Sequence, residues 1–229
     1  MIRALKFGVL FMSESLTLTS LPLFPLGTVL CPDGVLPLQI FEVRYLDMIG
    51  KCHKAGTPFG VVTLTQGAEV RQRTGSPTGD GFANEAFHTV GTLATITEFS
   101  SPQAGLMVIR TVGAQRFRIT RHEQLKHGLW VADVVLLDPD LKVAVPSDLK
   151  GAATALASLI NTLEAQDLPP EQMPLQAPYR LDDCGWVANR WCELLPLPPK
   201  LKHSLMALDN PLMRLELVND ILIEHGIPN

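Results

Sequence analysis

The sequence predicts an α+β protein: a small barrel or folded sheet of short strands, followed by a helical subdomain. Three observations lead there. Between Leu21 and Leu137, apolar and β-branched runs of strand length recur, separated by turns rich in proline, glycine and aspartate. From Ser147 onward the apolar residues change to spacings of three and four, the period of an amphipathic helix. The 18 prolines gather at the ends of these segments, where a residue without an N–H is tolerated. The expected division is an N-terminal extension over 1–20, a barrel subdomain with one helix over 21–142, and a helical subdomain over 143–229, with the boundary near Lys142–Pro146.

The stretch from Leu21 to Tyr45 organises the first half. Its apolar runs, Leu21–Leu30 and Val35–Phe41, flank Cys31-Pro32-Asp33-Gly34. Proline sets φ early in that turn and glycine accepts a positive φ late. Pro22, Pro25 and Pro37 belong at strand starts, edges or bulges, because they cannot donate to a ladder. At Phe41 the period changes: Phe41, Tyr45, Met48 and Ile49 lie on one helix face, and Glu42 and Asp47 favour its early turns. Glu42 and Arg44, two apart on a helix, do not face each other. Glu42 is expected to cap the helix or to pair with a strand arginine, and Tyr45 to sit in the core with its hydroxyl tied down.

Gly56-Thr57-Pro58 ends that helix, and Phe59–Leu64 reads as a buried strand. From Arg71 to Asn84 the composition shifts to glycine, serine, threonine and charge, a long exposed loop. Phe82 and Phe87, near its end, either fold back onto the barrel or offer an apolar contact to a partner. Thr89–Thr97 is a half-buried strand with an irregularity at Gly91, and Ser100–Ala104 a turn. Gly105–Thr111 and Arg116–Arg121 read as two strands with Gly113-Ala114 between them. Arg116, Arg118 and Arg121 are expected on a solvated face, or, on a sharper reading, facing an anionic or RNA ligand. Trp130–Leu137 closes the run of strands.

Ser147 suits the N-cap of a helix carrying Leu149, Ala153, Leu156, Ile160 and Leu163 on one side. A proline-rich crossing, Leu168–Pro178, leads to a helix starting at Asp182 or Asp183, with Trp186 and Trp191 either in the core or walling a groove. Pro199 fits the first turn of the next helix. Asp209 or Asn210 caps the last, with Pro211 at its first position and Gly226 at its end. Such amphipathic helices must bury their faces on one another or on the barrel.

The run Leu21-Pro22-Leu23-Phe24-Pro25-Leu26, then Val35-Leu36-Pro37-Leu38, then Phe41-Glu42-x-Arg44-Tyr45, closely resembles the LON N-terminal domain, the substrate-binding domain of Lon proteases. Gly91-Thr92-x-Ala94 and the tail from Trp186 through Leu194-Leu195-Pro196 to Leu208-Asp209-Asn210-Pro211 resemble it too, so the likeness spans nearly the whole chain. The resemblance implies a PUA-like β pseudo-barrel followed by a helical subdomain, and a peptide-binding role. It implies no reaction. Stand-alone copies without a protease are known in that family.

Several chemistries can be weighed from residues alone. The net charge of -4 argues against a nucleic-acid partner gripped through its phosphates, although PUA-like barrels also host RNA and nucleotide binding, which stays the alternative reading. No Gly-x-x-x-x-Gly-Lys-Ser/Thr occurs, so the phosphate cradle of an ATPase is missing. Ser147-x-x-Lys150 lacks its partner motifs, and Gly75-Ser76-Pro77-Thr78-Gly79 puts proline at the nucleophile position. His122-Glu123-x-x-x-His127 sets its histidines five apart, on different sides of a helix. The four cysteines, Cys31, Cys52, Cys184 and Cys192, form no close pair and read as reduced thiols. No cofactor or metal is expected.

The expected function is a non-enzymatic, ATP-independent module that holds exposed apolar segments of unfolded proteins, alone or for a separate protease. The substrate contacts would be Phe82, Phe87 and Trp130, then the cleft between barrel and helices. The apolar run Phe7–Met12 is too short for a secretory signal, and a cytoplasmic protein is expected. Met12-Ser13-Glu14 is an equally good start, so translation from Met12 is an expectation that the intact mass of the native protein checks.

Overall fold

A proline-bordered strand pattern can close on itself only if each strand finds two neighbours, and five of the six strands among the described residues do. The structure, a computed structural model, describes residues 16–70, 84–166, 168–169 and 172–227. The Met12 start, Phe82 and nearly all of the loop expected over 71–84 lie outside the described residues. In chain order the elements are β1 (Thr17–Leu26), β2 (Val35–Ile40), α1 (Val43–Ala55), β3 (Phe59–Gln66), β4 (Ala86–Gln103), β5 (Leu106–Gln124), β6 (Trp130–Leu136), α2 (Lys150–Glu164), α3 (Cys184–Leu194), α4 (Pro199–Met206) and α5 (Pro211–Glu224). The protein is α+β.

The sheet order is β2-β5-β4-β3-β1-β6, and β6 also pairs with β5. The strands β5, β4, β3, β1 and β6 therefore form a closed ring, and β2 is left outside it as the edge. The length of β5 makes this possible: its residues 107–112 pair with β2, and its residues 117–124 pair with β6. The parallel contact, β1 with β3, needs a crossover, which β2 and α1 supply.

The ring interior is filled by Leu21, Leu23, Val62, Leu93, Phe117, Ile119, Ala132 and Val134. Phe117 fits because two strands carry glycine against it. A Cβ on Gly60 would lie 2.8 Å from its ring edge, and one on Gly91 2.6 Å away. A second core lies under α1, where Phe24 stacks on Tyr45 at 4.1 Å between ring centroids. The third joins α2–α5 around Trp186, Trp191 and Leu215 and takes in Val29, Cys31 and Val90 from the barrel. Both tryptophans are core residues, and the indole N–H of Trp191 donates to the carbonyl of Ala152 at 2.9 Å.

Helix ends follow the local signals in most places. Asp183 caps α3 by accepting from the N–H of Gly185 at 3.0 Å, Asn210 caps α5 with Pro211 behind it, and Gly56 ends α1 at φ 64°. Ser147 departs from expectation. It opens a short 3-10 turn, Ser147–Leu149, with no side-chain cap, and α2 begins only at Lys150.

Two strand boundaries also differ. Gly113-Ala114 does not divide two strands: β5 runs through it, with the register against β4 shifting between the Thr92–Arg116 and Ala94–Gly113 pairs. Glycine is required there because a Cβ would fall 2.1 Å from the carbonyl oxygen of Cys31. Likewise β4 runs on to Gln103, and the turn shrinks to Ala104-Gly105, with Gly105 at φ 78°.

The arginine row of β5 is not one solvated face. Arg118 and Arg121 are exposed, but Arg116 is buried. It faces the helices, donating to the carbonyls of Met206 and Leu208 and to Asp140.

Candidate functional site

Beside β2 lies an apolar-lined groove. Phe24, Leu26 and Tyr45 lie along it, residues Pro37 to Phe41 border it, and Glu69 with Val70 stands opposite. Its volume is about 250 Å³. Its floor belongs to the core, but its rim is exposed. Phe41 is 55% exposed and Val70 48%, and Val43, next in the chain to the lining residue Glu42, is 81% exposed. Large apolar side chains grouped at a concave surface mark binding sites more often than isolated ones do.

Local chemistry places each part. Phe41 was expected on the buried helix face, yet α1 starts two residues later, at Val43, with Glu42 as its N-cap residue in extended conformation. Phe41 therefore still follows the strand and points its ring outward, and Val43 projects from the first turn. Glu42 makes no side-chain cap bond and instead pairs with Arg44 at 3.2 Å. The expectation that these two residues cannot meet is corrected: the spacing rule applies within a helix, and Glu42 lies just outside it. Across the groove, Glu69 accepts from the N–H of Gly27 at 2.7 Å and pins its segment to the end of β1.

Arg44 ties the groove to a second feature. Only 6% exposed, it donates to Glu85 at 2.9 and 3.2 Å and to the carbonyl of Gly128 at 2.9 Å. Burial alone would lower its pKa, but the bonds and charges of Glu85 and Glu42 outweigh that, and the net shift is upward. Glu85 also accepts the indole N–H of Trp130 at 2.8 Å. Phe87 meets Trp130 edge-on at 5.3 Å, and His122 lies 5.4 Å from Phe87 and 5.5 Å from Trp130. The structure thus brings Phe87 and Trp130 together. Both are half-buried and lean on the ring interior, which matches the fold-back reading of Phe87. They form an aromatic patch joined to the groove by Glu85 and Arg44, and they do not line the groove itself.

The cleft between barrel and helices has a different character. A cavity of about 210 Å³ there is lined by Asp33, Arg116, Asp138, Asp140, Arg180 and Asp183 among others. Its charges are largely engaged in pairs: Arg116 and Arg214 with Asp140, and Arg180 with Asp33. Ions held in this way suit an internal joint better than an apolar guest.

Of the exposed groove residues, Phe41 was expected only as part of a buried helix face and Val70 was not singled out at all. A signal for Phe41 exists: it alternates with Val43 around the acidic Glu42, a strand-like spacing at the point where the helix period begins. Among the described residues no group of three or more His, Cys, Asp or Glu is placed to hold a metal ion. Among the described residues no helix is long and apolar enough to cross a membrane.

The chain can now be set beside known proteins. The family model for the ATP-dependent protease La (LON) substrate-binding domain matches residues 20–224. Among solved structures, the chain is similar to a Lon N-terminal domain protein from Xanthomonas campestris, at 31% identity over 88% of this chain and 97% of that one, with a TM-score of 0.65. It shares its fold with the N-terminal domain of the Mycobacterium avium complex Lon protease, at 16% identity over 90% of this chain and 99% of that one, with a TM-score of 0.58. No curated protein matches the chain significantly. The resemblance, the closed five-strand ring and the helical tail agree, and the chain belongs to the LON substrate-binding domain family.

Proposed function

We propose that the protein is a non-enzymatic binding module that holds exposed apolar segments of other polypeptides in the groove beside β2. The observation that carries this reading is the exposed apolar rim of Phe41 and Val70 around a preformed concavity beside the edge strand of the sheet. An extended segment laid along β2 could add main-chain hydrogen bonds while its side chains enter the groove. Burying one large apolar side chain there contributes about 1.5–3 kcal/mol. The Phe87–Trp130 patch is a second contact surface for the same segment, and Phe82, five residues before Phe87 in the sequence, is proposed as a further contact. Nothing in this mechanism needs ATP or a cofactor. Clients held in this way are unfolded proteins of the cytoplasm, released alone or passed to a separate protease.

RNA or nucleotide binding finds less support. Arg116 is committed to internal partners, Arg121 lies 3.8 Å from Glu123, and the overall charge is -4.

Fluorescence anisotropy with a labelled, reduced and alkylated model protein tests the groove. Wild type should bind. Phe41→Asp and Val70→Asp should each weaken binding about tenfold without lowering the melting temperature, because both side chains are exposed. Absence of binding by wild type, or undiminished binding by the double variant, would overturn the proposal.

A further inference from the structure

The chain from Phe24 to Phe41 doubles back on itself, and two cavities lie between its arms. The groove already described has Phe24 and Leu26 on one arm and residues Pro37 to Phe41 on the other. A second cavity, of about 260 Å³, has residues Thr28 to Leu30 on the first arm and Val35 to Pro37 on the second. Pro37 borders both. The arms are matched in order, 24 and 26 with 37–41 and 28–30 with 35–37, so the cavities follow one another along β2 for about 20 Å. Either volume alone is below the roughly 300–1,000 Å³ of an ordinary ligand site, and the two joined reach it.

The two ends differ in charge. The groove end carries Glu42 and Glu69, with no lysine, arginine or histidine among its lining residues. The far end carries Lys202 amid Val29, Leu30, Leu36, Met173 and Leu194. Half-buried, Lys202 donates to the carbonyl of Glu193 at 2.8 Å and forms no ion pair with a described residue. An ammonium has three donors, so Lys202 keeps some for a guest. Glu193 borders the same cavity, but its carboxylate is taken by Arg190 at 2.9 Å and by the Cys31 N–H at 3.1 Å. A cation with spare donors at the end of an apolar cavity suits a carboxylate carried on an apolar body.

We propose that the two cavities are one trough that takes the C-terminal tail of another polypeptide, its last apolar side chain in the second cavity and its terminal carboxylate on Lys202. The inference rests on the groove reading above and specifies which part of a client is held. The charges set the direction. Glu42 and Glu69 repel a terminal carboxylate at the groove end and favour a basic residue there. The tail therefore runs from Phe41 toward Val35, antiparallel to β2, the more stable sense for an added strand. An internal segment has no carboxylate to place and leaves Lys202 unmatched.

Isothermal titration calorimetry on the full-length protein tests this with an N-acetylated heptapeptide, Lys-Leu-Thr-Leu-Thr-Val-Leu. The peptide is used as the free acid, as the C-terminal amide, and with Gly-Ser-Gly-Ser appended so that the carboxylate is moved away. The free acid should bind about tenfold more tightly than either of the others. Lys202→Met keeps the apolar stem and should bring the acid down to the level of the amide, whereas Lys202→Arg should retain the preference. The comparison of acid with amide uses the unaltered protein, so it stands even where a variant folds poorly. Equal affinities for acid and amide, or a preference for the acid that survives in Lys202→Met, would overturn the proposal. If Phe41→Asp then weakened all three peptides alike, the groove reading would stand while the C-terminal one fell. Failure of every peptide to bind a protein that still binds the unfolded model protein would also sink the C-terminal reading alone, and failure of both ligands would sink the two together.

Discussion

Arg214 donates from both terminal nitrogens to the carboxylate of Asp140, and neither residue is near the other in sequence. Asp140 lies on the segment leaving the barrel, and Arg214, fully buried, lies on α5. The same carboxylate receives Arg116 from β5 at 3.0 Å, so one anion joins the strand ring to the last helix. Asn189 of α3 also accepts from Arg214, at 3.0 Å.

Asp140→Asn should therefore be costly. It leaves two buried guanidiniums facing each other without their shared counter-charge, and the expected loss is about 3 kcal/mol in urea denaturation. Asp209→Asn is the control. Asp209 lies 3.4 Å from Arg116 but its side chain is 76% exposed, so the expected loss is under about 1 kcal/mol.

Glu193 should give the protein an unusual pH dependence. Burial raises its pKa to about 7, against the lowering effects of Arg190, the Cys31 N–H and Lys202. A folded pKa above the unfolded value means that the folded state holds this proton more tightly. The resulting stability is fully present below about pH 4.5 and lost as pH rises through about 7. Glu193→Gln removes this term. The stability of wild type relative to the variant should fall by on the order of 2 kcal/mol between pH 4.5 and pH 7.5, read from urea midpoints. A constant difference would contradict the burial argument.

His88 and His203 should act in the opposite sense. Their rings stack at 3.7 Å between β4 and α4, and the Nε2 of His203 lies 3.1 Å from the carbonyl of Val90. Burial holds both pKa values below the ordinary histidine range, helped by Lys200 at His88 and by His88 at His203. Depressed folded values give stability that is present above about pH 6.5 and lost as pH falls. His203→Gln, which keeps a donor for Val90, should flatten the loss of stability between pH 6.5 and 5 seen by thermal melting.

Gly91→Ala should strain the ring interior. The added carbon would lie 2.4 Å from the carbonyl oxygen of Val61 and 2.6 Å from the Phe117 ring edge. Backbone cannot yield as a flexible side chain can, so a loss of about 3 kcal/mol is expected from denaturant titration. Gly105→Ala, at an exposed hairpin tip with open space around it, isolates the separate cost of a positive φ.

Particular residues show where local reading succeeds and where it stops. Asp183, Pro199, Asn210-Pro211 and Gly226 mark helix ends correctly because capping involves chain neighbours alone. Gly113 misleads because its reason lies far away in sequence, at the carbonyl of Cys31. Arg116 misleads similarly: alternation places it on the face opposite Phe117, but only the helices docked there make that face an interior. Phe87 and Trp130 are aromatic residues of evident interest, yet their meeting depends on the pairing of β6 with both β1 and β5. The groove at Phe41 escapes a local reading because a two-residue delay in the start of α1 turns a buried-face residue outward.

The sequence by itself determined the kinds of element, most of their ends, the α+β class and, through its proline-bordered motif, the family. Those features rest on backbone preferences and on spacings within a few residues. Tertiary structure alone decided that the ring closes through β5 and β6, that Arg116 and Arg214 share Asp140, and that an apolar groove stays open beside β2. Burial and electrostatic environment are sums over spatial neighbours, and here those neighbours come from opposite ends of the chain.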